Sequence, residues 1–503
     1  MKVYLLGAGP GDPGLLTLKA KAVLETADVV VYDYLASPAL LRHCRPDAEI
    51  IYVGKQGGDH TLTQDKINNL LVEKVRSGKT VARLKGGDPY VFGRGAEEAE
   101  DLVAAGLEFE VVPGVTSAVA APAYAGIPLT HRRYASSVSF ITGHEDPGKA
   151  SSAHDWNALA RSASTLVFFM GMKNLPEITA NLQAAGMAPD MPVAVIRWGT
   201  TCRQRVLVST LDKVAAEAGR LGFKAPSLVV VGQVVRLRET LNVFEKKPLL
   251  GKGVVVTRSR EQASELATQL EELGACCLQF PTIRIEPLDD YAELETAILG
   301  LQRYDWVIFT SVNGVSHFFR QLDEIGLDAR VFGGLEVAAI GPATAAALKD
   351  RGIRADFVPD KYVAEHVVSG LLERGVAGKR VLVPRARLAR ELLPEELRQA
   401  GAKVDVIPVY ETLPAKAGVE DFLKRLDAGE VDCLTFASSS TVDNFFALVP
   451  SARIEDLRPG LKLACIGPVT AATLERHGFT ADIQPAEYTI PALVSAIAGA
   501  IGS

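Results

Sequence analysis

The second half of this chain is written twice. DWVIFTSVNGVSHFF starts at Asp305 and DCLTFASSSTVDNFF at Asp432, 127 residues later. AAIGPATAAALKDRGI and ACIGPVTAATLERHGF follow, with Gly341 and Gly467 126 residues apart. Upstream, GVVVTRSREQASELATQLEELGA answers RVLVPRARLARELLPEELRQAGA, pairing Arg258 with Arg385 and, further on, Pro281 with Pro408. Matched blocks in one order exclude coincidence, and a period this long excludes a solenoid, whose units run to about 20–50 residues. Two similar lobes are expected, and a cleft between lobes is a usual place for a ligand.

Strand-like apolar runs alternate with helix-like segments along all 503 residues, the pattern of α/β layers. The clearest break is EKKPLLGKG, Glu245 to Gly253, before the fresh strand VVVTRSR. Charge divides there too: 28 Lys and Arg against 25 Asp and Glu up to Lys247, but 26 against 35 beyond it. A net charge of −6 argues against a nucleic-acid partner. No run of apolar residues is long enough to cross a membrane, and MKVYLLGAGPGDPG reads as a buried first strand rather than a signal peptide. The cytoplasm is the expected compartment. Cys44, Cys202, Cys276, Cys277, Cys433 and Cys465 show no metal-binding or disulfide spacing, so reduced thiols and no metal are expected.

The first half has no such repeat. Gly/Pro turns crowd the ends of its strands: GAGPGDPG, RLKGGDPYVFGRG, VVPGVTSA and AGIPLTHRR. In open α/β sheets ligands sit beyond the carboxyl ends of strands, and glycine lets the backbone approach them closely. The first loop is not a dinucleotide fingerprint, because Asp12 stands at the third glycine position, and the phosphate-loop pattern is absent.

GAGPGDPGLLTLKA, VVYD, VGKQGG, RLKGGDPYVFGRGAEE, VVPGVTSA, AGIPLTHR, TGHED and FFMGM, in unbroken order from Met1 to about Phe244, resemble the uroporphyrinogen-III C-methyltransferases of the tetrapyrrole methylase family. That resemblance implies a two-subdomain methylase fold over 1–247 and a homodimer. It also implies S-adenosyl-L-methionine as methyl donor and two methylations of uroporphyrinogen III to precorrin-2, on the siroheme and cobalamin branch. By family position the donor meets Pro10, Gly86, Gly87, Asp88, Val91, Thr116, Ser117, Met170 and Gly199. Asp33 would accept a proton and Lys55 donate one, with Arg94 and Glu97 at the substrate. The substrate carries eight carboxylates and needs local cations; Arg94, Arg132 and Arg133 are candidates. Glu97 falls one helical turn after Arg94 if a helix begins there. Catalysis by aligning donor and acceptor suits such a site.

VVVTRSR, FTSVNG, AAIGPATAAAL, VPRAR, PVYETLP, FASSS and CIGPVTAATL resemble uroporphyrinogen-III synthase, over about Leu249 to Ser503. The resemblance implies closure of hydroxymethylbilane to uroporphyrinogen III with inversion of one ring and loss of water. It implies two lobes, 249–283 with 411–503 and 284–410, joined by a two-stranded crossing. Arg258, Ser311, Thr344, Arg385, Ser438 and Thr470 are the candidate substrate contacts, all at matched repeat positions. The hydroxyls among them suit helix caps as well as ligand contacts. Tyr410 matches the family tyrosine that would protonate the departing hydroxyl. Two other readings stay open: a second half that senses tetrapyrroles without catalysis, and a methylase of another corrinoid intermediate. No dehydrogenase–ferrochelatase unit of the kind found in some siroheme synthases is expected within these 503 residues.

Overall fold

The computed structural model describes residues 1–54, 63–144, 154–257, 260–359, 364–389, 391–415 and 418–502. The chain divides into two compact units. The first is Met1–Gly253 with Gln269–Cys276 and Ala498–Ser503; the second is Val254–Thr268 with Cys277–Ile497. The break at Gly253 lies a few residues beyond the one expected at 247–249, and short pieces from further along return to the first unit.

In the first unit, β1 (Val3–Gly7), β2 (Val29–Tyr32), β3 (Glu49–Tyr52), β4 (Val81–Lys85) and β5 (Phe109–Val112) form a parallel sheet in the order β3-β2-β4-β1-β5. β1 and β2 read as continuous apolar runs because both of their faces are covered. Val30 packs into one core and its neighbours Val29 and Val31 into the other. A mixed sheet follows. It comprises β6 (Val138–Thr142), β7 (Thr165–Phe169), β8 (Pro192–Arg197), β9 (Arg205–Thr210) and β10 (Ser227–Val231), in the order β6-β7-β10-β8-β9. After the first glycine loop come a short 3-10 turn, Pro13–Leu15, and a helix, Leu18–Leu24. Thr17 separates them by accepting a hydrogen bond from the Ala20 amide, as an N-cap does.

The second unit carries two sheets. β11 (Gly253–Val256), β12 (Cys276–Gln279), β18 (Cys433–Phe436) and β19 (Lys462–Cys465) are ordered β12-β11-β18-β19. β13 (Ile283–Glu286), β14 (Trp306–Phe309), β15 (Glu336–Ala339), β16 (Arg380–Ala386) and β17 (Lys403–Pro414) are ordered β13-β17-β16-β14-β15. β17 is long enough to serve twice, pairing with β16 up to Tyr410 and antiparallel to β13 from Glu411 to Pro414.

The repeat extends to single hydrogen bonds. Ser311 and Ser438 cap their helices in the same extended conformation, φ −159° and −163°. Gly341 and Gly467 precede Pro342 and Pro468 at matched helix starts, where proline's fixed φ and missing N–H cost nothing. Asp356 Oδ2 accepts from the Val337 amide and Asp482 Oδ2 from the Leu463 amide, both at 2.8 Å.

The thiols depart from expectation. Cys202 and Cys276 form a disulfide within the first unit. They lie 74 residues apart and share no motif, so spacing could not reveal the pair.

Candidate active sites

Three loops meet at the carboxyl ends of the first sheet. Gly9 and Gly87 exchange backbone hydrogen bonds at 3.2 and 2.7 Å. A β-carbon on Gly114 would stand 2.2 Å from the Gly87 carbonyl oxygen, so only glycine lets these strands' exits touch. Asp88 ties the same loops together: its Oδ2 accepts from the Gly114 amide at 2.9 Å and its Oδ1 from the Tyr90 amide at 2.8 Å. Gly87 has φ +70° with no atom nearer than 3.7 Å to a β-carbon placed there. Its glycine is needed for conformation, and the space beside it is open. Thr116 caps the helix Ser117–Tyr124, whose first amides start at this point. Pro10 follows Gly9 in the first loop, and Val91 packs against the apolar core of the mixed sheet.

Among the described residues, five non-glycine residues have positive φ: Phe92, Arg94, Met170, Trp198 and Thr200. Each costs conformational energy, and such residues gather where function fixes the backbone. All five lie in loops that follow β4, β7 and β8, and two of them, Arg94 and Met170, were singled out from sequence. Met170 is 50% exposed at the end of β7. Gly199 lies between Trp198 and Thr200, where a β-carbon would come 2.4 Å from Ala121 Cβ. Arg94 immediately precedes the helix Gly95–Ala104, and its Nε donates to Glu97 Oε1 at 3.1 Å, the one-turn pairing expected. Arg132 and Arg133 are exposed.

Aromatic residues escaped the sequence reading. Tyr34, Tyr90, Phe92 and Phe140 are exposed. Phe92 packs on Phe169, and Tyr34 meets the edge of Trp198 with ring centres 5.8 Å apart. The available signal was an aromatic residue next to a strand-end glycine, as in RWG and YVFG.

Asp33 follows β2 directly. Its Oδ1 accepts from the Leu35 amide and its Oδ2 from Arg83 Nη2, both at 3.2 Å. Behind it lies a charged cluster that the apolar reading of β4 concealed. Arg83 is 3% exposed, Lys85 4% and Glu98 0%. Glu98 Oε1 accepts from Lys85 Nζ at 2.6 Å, Gln64 Nε2 at 3.0 Å and Arg83 Nε at 3.3 Å. Burial pushes the Lys85 ammonium's pKa down, Arg83 adds to that, and Glu98 opposes it. Lys55 lies outside the described residues.

In the second unit, Tyr410 on β17 is buried, and its hydroxyl lies 3.2 Å from Ser311 Oγ. Burial pushes the phenol up, and the contact with Ser311 pulls it partly back. His317 stacks on Tyr410 with centroids 5.4 Å apart. Burial, and then the charge of Arg320, lower its pKa to about 4. Arg320 Nη2 lies 3.2 Å from His317 Nδ1. Arg385, a candidate substrate contact, lies within β16, buried, and pairs with Glu391. Thr344 and Thr470 are also buried, in the first turns of their helices. Ser438 forms a capping box with Thr441. Arg258 lies outside the described residues. Among the described residues no group of three or more His, Cys, Asp and Glu side chains could share one ion, and no helix is long and apolar enough to cross a membrane.

The first unit thus has the loops of a ligand-binding α/β domain, gathered at the carboxyl ends of a parallel sheet, and the paired lobes carry a buried tyrosine–serine pair. Residues 2–215 match the family Tetrapyrrole (Corrin/Porphyrin) Methylases, and residues 264–495 match Uroporphyrinogen-III synthase HemD. The chain is 40% identical over 475 residues to the Porphyrin biosynthesis protein HemD of Ruminiclostridium josui, covering 94% of this chain and 93% of that one. It is 57% identical over 240 residues to an S-adenosyl-L-methionine-dependent uroporphyrinogen III methyltransferase of Methanosarcina barkeri, covering 48% of this chain and 94% of that one. A solved uroporphyrin-III C-methyl transferase from Thermus thermophilus, complexed with S-adenyl homocysteine, is 40% identical with a TM-score of 0.41, and covers 47% of this chain and 100% of that one. The chain belongs to the porphyrin-biosynthesis family that fuses a tetrapyrrole methylase to a uroporphyrinogen-III synthase, and it is a bifunctional enzyme of tetrapyrrole biosynthesis.

Proposed function

We propose that residues 249–503 close hydroxymethylbilane to uroporphyrinogen III with release of water. Residues 1–247 then methylate that ring twice with S-adenosyl-L-methionine to give precorrin-2. The carrying observation is the glycine-lined junction of three loops beside Asp33, surrounded by residues held at positive φ. The open space at Gly87 and the helix amides after Thr116 suit a nucleoside bound through main-chain groups.

The donor supplies an electrophilic methyl group on a sulfonium sulfur. Asp88 braces the loops that position it, and Arg94 with Glu97 stands at the acceptor's carboxylates. The exposed faces of Phe92, Tyr90 and Met170 receive the flat apolar part of the ring. Each methylation forms a carbon–carbon bond at an electron-rich pyrrole carbon and breaks a carbon–sulfur bond, leaving the ring positively charged. Asp33, partly exposed and anchored by Arg83, takes the proton that restores neutrality. Lys55 is the matching donor by family position.

In the synthase half, Tyr410 is protonated at neutral pH as any phenol is, burial raises its pKa further, and its hydroxyl can donate a proton to the departing hydroxyl, which leaves as water. Ser311 orients that hydroxyl. The main-chain amides at the helix starts after Ser311, Gly341, Ser438 and Gly467 bind substrate carboxylates. We further assign the chain to the cytoplasm as a homodimer through the methyltransferase domain, a state that light scattering of the purified protein measures directly.

The test is to give the full chain uroporphyrinogen III and methyl-labelled donor, and separately hydroxymethylbilane alone. Two labels per ring and the type III isomer are expected. Absence of label removes the methyltransferase assignment, and the spontaneous type I isomer removes the synthase assignment.

A further inference from the structure

The stretch that reads as the start of a linker is wired into the donor loops. Glu245 lies in a short 3-10 turn, Phe244–Lys246, at the end of the methyltransferase half. Its Oε1 accepts from Gln204 Nε2 at 3.0 Å, and its Oε2 is paired with Arg238 Nη2. Gln204 Oε1 in turn accepts from the Thr200 amide at 2.8 Å. Thr200 Oγ1 accepts from the Asp12 amide at 3.1 Å. The circuit closes on the other side: Tyr124 donates to Asp12 Oδ2 at 2.6 Å, and Arg238 Nη1 donates to the carbonyl of the adjacent Ala125 at 2.6 Å.

Two features make this more than a surface network. Thr200 and Gln204 are both buried, so each of their polar groups needs its partner. Thr200 also holds φ +69°, a conformation that persists only where its surroundings enforce it. The Gln204 oxygen on its amide is one such restraint, and Glu245 fixes which way the Gln204 amide group faces. With that carboxylate gone, Gln204 can turn, and the loop of Trp198, Gly199 and Thr200 loses the bond holding its strained residue. The loop of Pro10 to Asp12 loses its anchor with it.

We propose that Glu245 is a positioning residue for the methyl-donor site, acting through Gln204 and Thr200, so that the segment leading out of the methyltransferase half sets affinity for an adenosyl sulfonium nucleoside. This rests on the reading that these loops hold the donor.

The experiment uses the full chain and calorimetric titration with S-adenosylhomocysteine, together with separate KM values for donor and for uroporphyrinogen III. Glu245→Ala is expected to weaken nucleoside binding by about tenfold and raise the donor KM in step, with the uroporphyrinogen III KM unchanged. Glu245→Gln, which keeps an acceptor oxygen for Gln204, is expected to recover most of that affinity. Unchanged binding in Glu245→Ala, or equal rises in both KM values, overturns the proposal. Failure of the unaltered chain to bind the nucleoside overturns the donor-site reading itself, and the proposal with it. If Glu245→Ala does not fold, Glu245→Asp decides instead: it keeps a charge for Arg238 but draws back from Gln204, and wild-type affinity there is contrary to the proposal.

Discussion

Arg83 reaches out of the buried face of β4 to place Nη2 3.2 Å from Asp33 Oδ2, so the one carboxylate at the end of β2 is oriented from inside the protein. An anion aimed in this way is suited to take a proton. Replacing it by the isosteric amide keeps the shape and removes the basicity. We expect Asp33→Asn to slow methylation by about 10²–10⁴-fold. Its thermal midpoint should stay close to that of the unaltered chain. Steady-state turnover and a melting curve on the same preparation check both halves of that statement.

Glu98 Oε1 pairs with both Arg83 Nε and Lys85 Nζ. Its removal leaves two cations buried without it. Breaking a buried ion pair from one side costs about 3–5 kcal/mol. Glu98→Ala should lower the unfolding free energy of the first unit by that order, as read from denaturant titration. A loss below about 1 kcal/mol would mean that water or another group reaches the cations.

The glycines at the loop junction separate two effects. Gly87→Ala meets open space and pays chiefly for its left-handed backbone, about 1–2 kcal/mol. Gly114→Ala instead drives a methyl into the Gly87 carbonyl. The first variant should fold and bind nucleoside weakly. The second should part the loops and abolish binding. Titration of both with S-adenosylhomocysteine distinguishes them.

In the synthase half the Tyr410 and Ser311 hydroxyls share one hydrogen bond. Tyr410→Phe should reduce formation of the type III isomer by about 10²-fold or more. Ser311→Ala should have a smaller effect on rate and lose about 1 kcal/mol of stability through the lost helix cap. Because the two side chains touch, the double variant should fall short of the summed effects.

His317 gives a pH signature. Its folded pKa is about 4, below the unfolded value near 6.5, because burial disfavours the charged ring. The unfolded chain therefore binds more protons between these values, and stability from this group is complete above about pH 6.5 and falls as the pH drops toward 4. His317→Phe, which keeps a ring against Tyr410, should flatten that part of the stability profile.

Much of this was legible in residue order. The repeat announced two lobes, and it holds to the level of the paired caps Ser311 and Ser438 and the paired aspartates Asp356 and Asp482. The Gly/Pro turns marked the loops that meet at Gly9, Gly87 and Gly114. Partnerships between distant residues were not legible, because a side chain's partner depends on which strands become neighbours. Arg83 and Lys85 sit in the middle and at the end of VARLK, where nothing in the strand itself names a partner; the helix Gly95–Ala104 brings Glu98. Arg385 reads as a candidate substrate contact, but pairing with β17 continues through it to Ala386 and places it within β16. Cys202 and Cys276 meet for the same reason. Peptide mapping without reductant should recover them as one linked pair, and with reductant as two peptides.

The most direct test is one incubation of the full chain with hydroxymethylbilane and S-adenosyl-L-methionine together, followed by mass and absorbance analysis. The expected product is the type III macrocycle bearing two added methyl groups. An unmethylated type I ring from the same incubation would contradict the account.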